Sequence, residues 1–567
     1  MVMNTRVLVA FYVLIFLSAC GGGAGGSTEQ VATPPDTTSP DTSTPPTTPA
    51  NSAPTGSIIL VGEAAVGQTL SLTQDLADVN GLGNFSYQWR RLLNGSHQVI
   101  ASATAASYQI TEQDIGASLS VQISYTDGDN FDEVVISPES TVVTTPDAVG
   151  NNAGKPNILL IIADDLGLDA SAQHNLSIDL PMTPNLDALA ARGLVFDNVW
   201  ATPACTTTRG TMITGQHGIH SGIDFVPAVM DASTHTLQRQ VKSLDSDYQT
   251  AVIGKWHLGG ANPDLTHPTD SGVDYYAGTI AGTISDYFQW QLTEMGETSE
   301  RTDYHTTGIT DLAVDWLAEQ NQQERPWFLW LAYVAPHSPF HLPPAELHTR
   351  SNLTGTASDI QSNRREYYLA AIEAMDSEIG RLLASLPDDE RDNTLIIYLG
   401  DNGTPGGVID AGVFSSSHSK NSLYEGGVRV PMLTAGFGVA RENQREAALV
   451  NSTDIFATIS QVVSAADSGQ SDSLAAIQIN ESYSFYPLFT SAEPPLREFN
   501  YTEFIRDGVT GWAVRNQEYK LLALDGQPQA LYQINQDINE TQNLIDDDSL
   551  SAIVAELNAE GARIRGE

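Results

Sequence analysis

Beyond about residue 155, apolar residues occur both in continuous runs and at helical spacing. The runs "NILLIIADD", "TAVIGKWH", "WFLWLAYVAPH" and "NTLIIYLGDNG" are apolar on both faces, as buried parallel strands are. "TPNLDALAARG" predicts a helix, because Thr183 can cap it, Pro184 suits its first turn and Gly193 can end it. A longer amphipathic helix is predicted from apolar residues at helical spacing: Tyr368, Ile372, Met375, Ile379 and Leu382. This pattern predicts an α/β fold with a mostly parallel sheet flanked by helices.

Residues 55–146 show a different pattern of short alternating runs. "FSYQW" places Phe85, Tyr87 and Trp89 on one face, and "LSVQISY" repeats the alternation. Turn sequences such as "NGLGN" and "TDGDN" separate the runs. We expect an all-β immunoglobulin-like sandwich without a disulfide, which resembles the Ig-like repeats of bacterial surface proteins. A spacer role is favoured over carbohydrate binding.

The N-terminus is typical of an exported lipoprotein. Arg6 precedes an apolar stretch over 7–17, and Ala19 is the small residue before Cys20. "LSAC" followed by glycines resembles a lipobox, whose cysteine becomes the lipidated N-terminus. Residues 1–20 are therefore predicted to be a signal peptide, and the Gly, Ser, Thr and Pro residues of 21–54 predict a disordered linker. We expect an exported protein anchored through Cys20 to a bacterial membrane, the outer one, facing the periplasm or the cell surface.

Charge narrows the range of partners. The 567 residues carry 69 acidic and 26 basic side chains, a formal net charge of −43. Such a field repels polyanions, so bulk electrostatic binding to nucleic acid is excluded. Because basic residues are so few, any that are grouped in one place are expected to have a function at that place. With Cys20 assigned to lipid, Cys205 is the single cysteine left, and it is either buried and inert or chemically used.

Each of the four predicted strands is followed by residues that can carry chemistry: Asp164 and Asp165, Lys255 and His257, His337, and Asp401 and Asn402. Because the carboxyl ends of parallel strands share one edge of a sheet, these side chains are expected to meet there. The carboxylates and the amide offer only oxygen ligands, which favours Ca²⁺, with Mg²⁺ as the alternative. Arg209, Lys255 and Lys420 would add positive charge, which indicates an anionic group on the substrate.

The motifs together resemble a known family. "KPNILLIIADDLG", "CTTTRGTMITG", "VIGKWHLG", "GDNG" and "SKNSLYEGGVRVP" are similar to successive motifs of the formylglycine-dependent sulfatases, within the alkaline phosphatase superfamily. They occur in the family's order between Pro156 and Pro431. The tail, including "WAVRNQEYKLLAL", resembles the family's small C-terminal subdomain. The resemblance implies a catalytic domain over 155–495 and an antiparallel-sheet subdomain over 496–567.

The resemblance also implies a reaction at Cys205. A formylglycine-generating enzyme would oxidise this residue to formylglycine (3-oxoalanine) before folding. One hydroxyl of the aldehyde hydrate would attack sulfur, and the other would expel the sulfate. The implied metal ligands are Asp164, Asp165, Asp401, Asn402 and the side chain at position 205.

Further roles are carried over from the same resemblance. Arg209 would hold the hydrate, and His257 would take the proton that triggers elimination. His337 and Lys420 would act as acids at the leaving oxygen. Lys255, together with Lys420, would spread the charge of the transition state. Three histidines receive no role: His217, His220 and His418.

One position departs from the family pattern. The usual signal for the modifying enzyme is Cys-X-Pro/Ala-X-Arg, and Thr207 stands at the Pro/Ala position. Because the charged residues of the cleft are all present, we expect an active sulfuric ester hydrolase acting on a sulfated sugar or an aryl sulfate. Two alternatives remain. One is a phosphomonoester or phosphonate ester hydrolase using unmodified Cys205 or a nearby threonine, and the other is a non-catalytic surface protein that binds glycans.

Overall fold

The computed structural model describes residues 51–567, apart from residues 63, 65–68, 94, 115, 141, 144–154, 324, 469–476, 493–496 and 507. The predicted signal peptide, Cys20 and most of the predicted linker lie outside the described residues. The chain divides into two compact units. Of the described residues, the first unit comprises those within 51–62, 69–108 and 117–141, and the second comprises those from 142 onward together with those within 63–68 and 109–116.

The first unit is built from strands, in agreement with the predicted all-β domain. Strands β1, β2 and β5 form one sheet, and β4, β3, β6 and β7 form a second, antiparallel sheet in that order. Leu119, Val121 and Ile123 on β6 are fully buried, so the predicted alternation holds there except at Ser120, which is also buried. Of the three aromatic residues predicted to share one face, Trp89 is buried, whereas Phe85 and Tyr87 are half-buried. The likeness to immunoglobulin-like repeats stays a prediction. The strands are β1 (Ile58–Val61), β2 (Thr69–Gln74), β3 (Ser86–Leu93), β4 (Ser96–Val99), β5 (Ser107–Gln109), β6 (Ser118–Thr126) and β7 (Asp132–Ile136).

A ten-stranded sheet forms the centre of the second unit, in the order β13-β12-β11-β10-β14-β8-β15-β16-β9-β17. The five strands from β11 to β15 in this order run parallel. Antiparallel pairs add β12 and β13 on one side and β16 and β9 on the other, where β17 then pairs with β9 in parallel. The strands are β8 (Asn157–Ala163), β9 (Gly193–Trp200), β10 (Gln249–Gly254), β11 (Tyr275–Gly278), β12 (Trp290–Glu294), β13 (Glu297–Arg301), β14 (Trp327–Ala332), β15 (Thr394–Gly400), β16 (Met432–Gly436) and β17 (Gln444–Asn451).

Helices cover both faces of this sheet, which explains why its central strands are apolar throughout. Alternate residues of β8 belong to two separate hydrophobic clusters, with Ile158 in one and Leu159 in the other. The first cluster includes Ile459 and its neighbours on α11, and the second includes Ile372 and its neighbours on α8. Both faces of the strand are therefore removed from water, which favours continuous apolar sequence over alternation.

The helices are α1 (Pro184–Ala191), α2 (Cys205–Thr214), α3 (Gly218–Ser221), α4 (Leu237–Leu244), α5 (His267–Asp270), α6 (His305–Gln323), α7 (Ala357–Ser362), α8 (Arg364–Ser385), α9 (Asp388–Asp392), α10 (Glu425–Val428), α11 (Asp454–Ser468) and α12 (Ser551–Arg565). Thr183 precedes α1 as predicted, although its side chain makes no capping hydrogen bond, and Gly193 begins β9 instead of ending the helix. None of these helices is both long and apolar enough to cross a membrane.

A four-stranded antiparallel sheet forms the C-terminal part, as the family resemblance implied, and helix α12, which was not predicted, accompanies it. Strands β20 (Asn500–Arg506), β21 (Val509–Arg515), β22 (Tyr519–Leu524) and β23 (Gln527–Gln533) follow one another in the sheet. Leu557 of α12 packs against the buried face of this sheet, with Trp512 of β21 in the same cluster. The short pair β18 (Gln478–Ile479) and β19 (Ser482–Tyr483) precedes it.

Candidate active site

The predicted site residues come together at one edge of the large sheet. Strands β10, β14, β8 and β15 are neighbours in that order and pair in parallel. Lys255, Asp164 and Asp401 directly follow β10, β8 and β15, and His337 lies in the loop after β14. The carboxyl ends of four adjacent strands thus deliver these side chains, as the sequence predicted.

Three carboxylates and one thiol form a compact cluster at this edge. Asp164, Asp165, Cys205 and Asp401 each offer one ligand atom, and these atoms lie within 4.8 Å of one another. None of the four residues is more than 3% exposed. The predicted amide ligand joins them, because Asn402 Nδ2 donates a hydrogen bond of 2.9 Å to Asp165 Oδ1.

The chemistry of the cluster suits a hard cation. Two of its enclosed oxygens, Asp164 Oδ1 and Asn402 Oδ1, find no hydrogen-bond partner among the described residues. Buried polar atoms in proteins are nearly always paired, so these oxygens are available to a ligand. Apart from the thiol, the donors are carboxylate and amide oxygens, which Ca²⁺ and Mg²⁺ prefer. The residues present therefore fit a divalent cation of this kind.

Three basic side chains surround the carboxylates. Lys255 Nζ lies 2.5 Å from Asp164 Oδ2, and Lys420 pairs with Asp165 Oδ1. Arg209 is fully buried and donates from Nη2 to Asp401 Oδ2 at 2.9 Å and from Nη1 to the Lys255 carbonyl at 2.7 Å. These hydrogen bonds hold the carboxylate and the residue after β10, whereas the contact with residue 205 implied by the family resemblance stays a prediction.

The pKa values of Asp164 and Asp401 are shifted in opposite directions, because the two carboxylates differ in how strongly the basic residues offset the effect of burial. Burial opposes the charge of Asp164, but Lys255, followed by His337, Arg209 and Lys420, outweighs it and lowers the pKa of that carboxyl. Burial raises the pKa of Asp401 to about 6, and the charge of Asp164 adds to the shift while Arg209 and Lys255 oppose it. A divalent cation would favour the ionised form of Asp401 by adding positive charge.

Cys205 is the first residue of α2 and points into the cluster. Its Sγ lies 3.4 Å from Lys420 Nζ and 3.7 Å from Asp165 Oδ1. Burial, assisted by the charge of Asp164, raises the pKa of this thiol well above its usual range, although Lys255 and Lys420 oppose the shift. Because the thiolate is the nucleophilic form, burial disfavours attack by an unmodified Cys205 as long as no cation lies beside it.

Both predicted catalytic histidines lie beside the cluster. His337 Nε2 is 3.6 Å from Asp165 Oδ2, and its Nδ1 lies 2.7 Å from the Ser338 carbonyl oxygen. His257 has a left-handed backbone with φ of 56°, and its Nδ1 is buried without a partner among the described residues. Burial lowers the pKa of His257 to about 2, and Lys255 and Arg209 add to this shift, so the imidazole is neutral.

Two further residues position the cluster and were missed in the sequence. The hydroxyl of Tyr368 on α8 donates to the Asp165 carbonyl at 2.9 Å and lies 3.2 Å from Thr404 Oγ1. Asp165 has a left-handed backbone with φ of 70°, a conformation that the hydrogen bond helps to hold. Tyr368 occupies an apolar position of an amphipathic helix, so its spacing indicates only packing. Thr404, two residues after Asn402, could have been found from its place next to the "GDNG" motif.

The three histidines without a predicted role make contacts of an ordinary kind. His220 Nδ1 lies 2.6 Å from Glu481 Oε1, and the His217 ring packs edge-on against Tyr501. His418 stacks on Tyr424 with ring centroids 3.6 Å apart. These contacts give no reason to place them in the site.

The fold and the site together are those of the alkaline phosphatase superfamily. Within it, the chain belongs to the sulfatase family, whose model matches residues 156–465, more than half of the chain.

Individual relatives agree with this assignment. Arylsulfatase J of Mus musculus is 29% identical over 57% of this chain and 55% of its own length. N-acetylgalactosamine-6-sulfatase of Homo sapiens is 28% identical over 53% of this chain and 61% of its own length. Among solved structures, Ps i-CgsB superposes with a TM-score of 0.62 at 26% identity, covering 72% of this chain and 93% of its own. The chain spans between about half and two thirds of the length of the curated relatives it matches.

Proposed function

We propose that this protein hydrolyses the sulfate ester of a sulfated carbohydrate, using formylglycine at position 205 and a bound Ca²⁺. The observation that carries the proposal is the cluster of Asp164, Asp165, Cys205 and Asp401, whose ligand atoms lie within 4.8 Å of one another. An aryl sulfate is a second substrate of the same chemical class.

Asp164, Asp165, Asp401 and Asn402 would hold the cation together with the side chain at position 205. The two unpaired oxygens of Asp164 and Asn402 support this assignment. Calcium is favoured over Mg²⁺ because it tolerates a mixed set of carboxylate and amide ligands without strict octahedral geometry. When bound, the cation supplies a Lewis acid that polarises the sulfate oxygens.

Residue 205 would act as formylglycine, which supplies a hydroxyl nucleophile whose ester can be opened again from the same carbon. A thiol has no second hydroxyl on the same carbon, so an unmodified Cys205 could not open the ester in this way. The donor set of carboxylate and amide oxygens disfavours zinc, which argues against the alternative phosphate ester hydrolase.

The surrounding side chains bind the anion and move protons. Lys420 contacts both Asp165 and Cys205, which suits it to stabilise negative charge developing at residue 205. Lys255 keeps Asp164 ionised and ready to bind a cation. His257 is neutral and would accept a proton beside residue 205, whereas His337 would donate one to the leaving oxygen.

The substrate class is supported by the relatives and by a neighbouring cavity. One relative is named for a sulfated amino sugar, and Ps i-CgsB was solved in complex with k-i-k-neocarrahexaose. A cavity of about 240 Å³ lies beside the first turn of α2 and is lined by Thr207, Phe225, Phe504 and Arg506, among other residues. Aromatic rings and a guanidinium suit the apolar face and the polar groups of a sugar. The net charge of −43 favours short fragments over a long polyanion.

The proposal also includes how the protein matures and where it is located. A formylglycine-generating enzyme would convert Cys205 before folding, because the residue is buried in the folded protein. Lipidation at Cys20 would anchor the protein to the outer membrane, facing the periplasm or the cell surface. Both steps rest on the sequence motifs.

The decisive experiment measures initial rates on an aryl sulfate and the matching aryl phosphate, with the protein produced in a host that contains the modifying enzyme. We expect a strong preference for sulfate, an aldehyde at position 205 by peptide mass spectrometry, and loss of activity in Cys205→Ala. A preference for phosphate would overturn the proposal in favour of the phosphate ester hydrolase. An intact thiol combined with no sulfate release would instead favour the non-catalytic glycan-binding protein.

A further inference from the structure

We propose that the first unit of the chain contains a calcium site of its own, formed by Asp78, Asp127 and Glu133. This site is separate from the sulfatase family match, which begins at residue 156. It does not depend on the proposed activity.

The three carboxylates approach one another in the folded unit. Each offers one oxygen, and these oxygens lie within 4.8 Å of one another. Asp78 follows β2, Asp127 follows β6, and Glu133 lies on β7. Asp127 and Glu133 are only 5% and 8% exposed, and among the described residues no basic side chain pairs with either, which is unusual for buried acidic groups.

The carboxylate of Asp127 is the strongest sign that a ligand is bound. Its Oδ1 accepts hydrogen bonds from the backbone N–H groups of Asp129 and Phe131, at 2.9 and 2.7 Å. Its Oδ2 is enclosed and has no hydrogen-bond partner in the described part of the chain. Because Oδ1 already accepts two hydrogen bonds from the turn, Oδ2 is the oxygen that we assign to the cation. A buried, unpaired carboxylate oxygen is costly unless a cation neutralises it.

The other two carboxylates accept hydrogen bonds from neutral donors. Asp78 accepts from the Tyr125 hydroxyl at 2.6 Å, and Glu133 accepts from Asn51 Nδ2 at 2.7 Å. Burial raises the pKa of Tyr125, and the hydrogen bond to Asp78 and the charges of Asp78, Glu133 and Asp127 raise it further. The cluster is therefore a concentrated negative potential without a basic side chain among its described contacts.

The backbone holds the two acidic turns together. The N–H of Gly128 donates to the Asn80 carbonyl at 3.0 Å, which ties the turn after β6 to the turn after β2. A side chain at Gly128 would collide with that carbonyl, since a Cβ built there lies 2.4 Å from the oxygen. The fold therefore already holds the carboxylates close together, so that binding an ion does not require them to move toward one another.

Calcium is the cation that these ligands favour. All three are hard oxygen donors, which disfavours zinc, and they come from turns and a strand end of irregular geometry, which suits Ca²⁺ better than octahedral Mg²⁺. Backbone carbonyls and water would supply the remaining ligands that calcium requires.

The test counts calcium ions bound to the full chain by equilibrium dialysis against Ca²⁺. The wild-type protein should bind two ions per chain, whereas Asp401→Asn, which removes a ligand of the catalytic cluster, should retain one. Asp127→Asn should also lose one ion while keeping the acceptor Oδ1 and the sulfate ester hydrolysis rate. Asp132→Asn is the matched control, because this exposed neighbour lies outside the cluster, and it should bind two ions.

Two results would overturn the proposal. One is an Asp401→Asn protein that binds no calcium, and this measurement needs no change in the first unit. The other is a folded Asp127→Asn or Glu133→Gln protein that binds as many ions as the wild type. Failure of the proposed function would appear differently, as loss of sulfate release with the second ion still bound to the first unit.

Discussion

Lys255 Nζ lies 2.5 Å from Asp164 Oδ2, and neither side chain is exposed to solvent. The pair joins the ends of strands β10 and β8, on either side of β14. Attraction from Lys255 is the largest of the interactions that lower the pKa of Asp164 against the effect of burial. The lysine therefore keeps a buried carboxylate ionised, which is the form that a metal ion requires.

Replacing Lys255 with methionine should destabilise the protein strongly in the absence of calcium. The change leaves the Asp164 carboxylate buried without its main partner, which typically costs about 3–5 kcal/mol of unfolding free energy. Calcium should restore part of this loss, because the ion would supply the missing positive charge. Urea unfolding with and without Ca²⁺ measures both effects.

The matched control for this variant is Arg192→Met. Arg192 pairs with Asp392 at 2.6 Å, but both side chains are more than half exposed. Exposed ion pairs contribute little, so this variant should unfold like the wild type, and calcium should not affect the comparison. If the two variants lost equal stability, Lys255 would not have the role assigned to it.

A substitution at Gly282 should disable His257 without touching it. A Cβ built on Gly282 would lie 2.1 Å from His257 Nε2, so alanine forces the imidazole to move. General acid–base groups contribute about 10²–10⁴ in rate, and we expect Gly282→Ala to lower kcat by at least about 10². Gly407→Ala is the control, since its Cβ would meet only Arg364 Nη1 at 3.8 Å. An unchanged kcat in folded Gly282→Ala would contradict the role of His257.

The sequence was enough to predict which residues follow the strands and meet at the site. It was not enough to predict the residues that hold those side chains in position. Asp164, Lys255 and Asp401 directly follow apolar runs, so the topology of parallel strands was enough to bring them together. Tyr368 gives no such signal, because a buried tyrosine at helical spacing packs in the same way whether or not its hydroxyl binds Asp165. The contact between Gly282 and His257 depends on a loop conformation that no local pattern encodes.

Removing the hydroxyl of Tyr368 should weaken calcium binding at the catalytic cluster. Tyr368→Phe leaves the Asp165 carbonyl without this donor and should cost about 1 kcal/mol of stability. The backbone of Asp165 would then be held less firmly in its left-handed conformation, so the calcium dissociation constant should rise. Calorimetric titration of the two proteins with Ca²⁺ measures the change.

Tyr398→Phe provides the control for the tyrosine variant. Tyr398 is also buried, but its hydroxyl has no hydrogen-bond partner within the described residues. Its removal should leave calcium affinity unchanged and stability equal or higher. Equal calcium affinity in all three proteins would show that the hydroxyl of Tyr368 does not support the site.

A buried cluster near the C-terminus should make stability depend on pH. Lys520 Nζ lies 2.8 Å from Glu540 Oε1 and 3.1 Å from Glu425 Oε1, and all three side chains are inaccessible. Burial raises the pKa of Glu540 from 4.5 to about 7, with Lys520 opposing the shift and the charge of Glu425 adding to it. A carboxyl whose folded pKa is raised stabilises the protein fully below its unfolded pKa, and this contribution is lost as pH rises through the folded value.

Glu540→Gln should therefore reduce the fall in unfolding free energy between about pH 5 and 8. Denaturant unfolding at several pH values, with calcium present throughout, measures the slope. Glu518→Gln replaces an exposed glutamate of the same C-terminal part and should keep the wild-type slope. The same slope in all three proteins would mean that Glu540 does not titrate in this range.

Replacing Thr207 with alanine should affect maturation and stability in opposite directions. In the fold its hydroxyl donates to the Ala204 carbonyl at 2.9 Å and contacts Thr202 Oγ1, so Thr207→Ala should cost about 1 kcal/mol of stability. The same change restores the usual Cys-X-Pro/Ala-X-Arg signal. We therefore expect a larger fraction of aldehyde at position 205 together with a lower unfolding free energy, measured by peptide mass spectrometry and urea unfolding.

Thr206→Ala is the matched control. It changes a variable position of the signal and should leave the aldehyde fraction unchanged. A smaller aldehyde fraction in Thr207→Ala would instead mean that the modifying enzyme acting on this chain recognises the threonine hydroxyl.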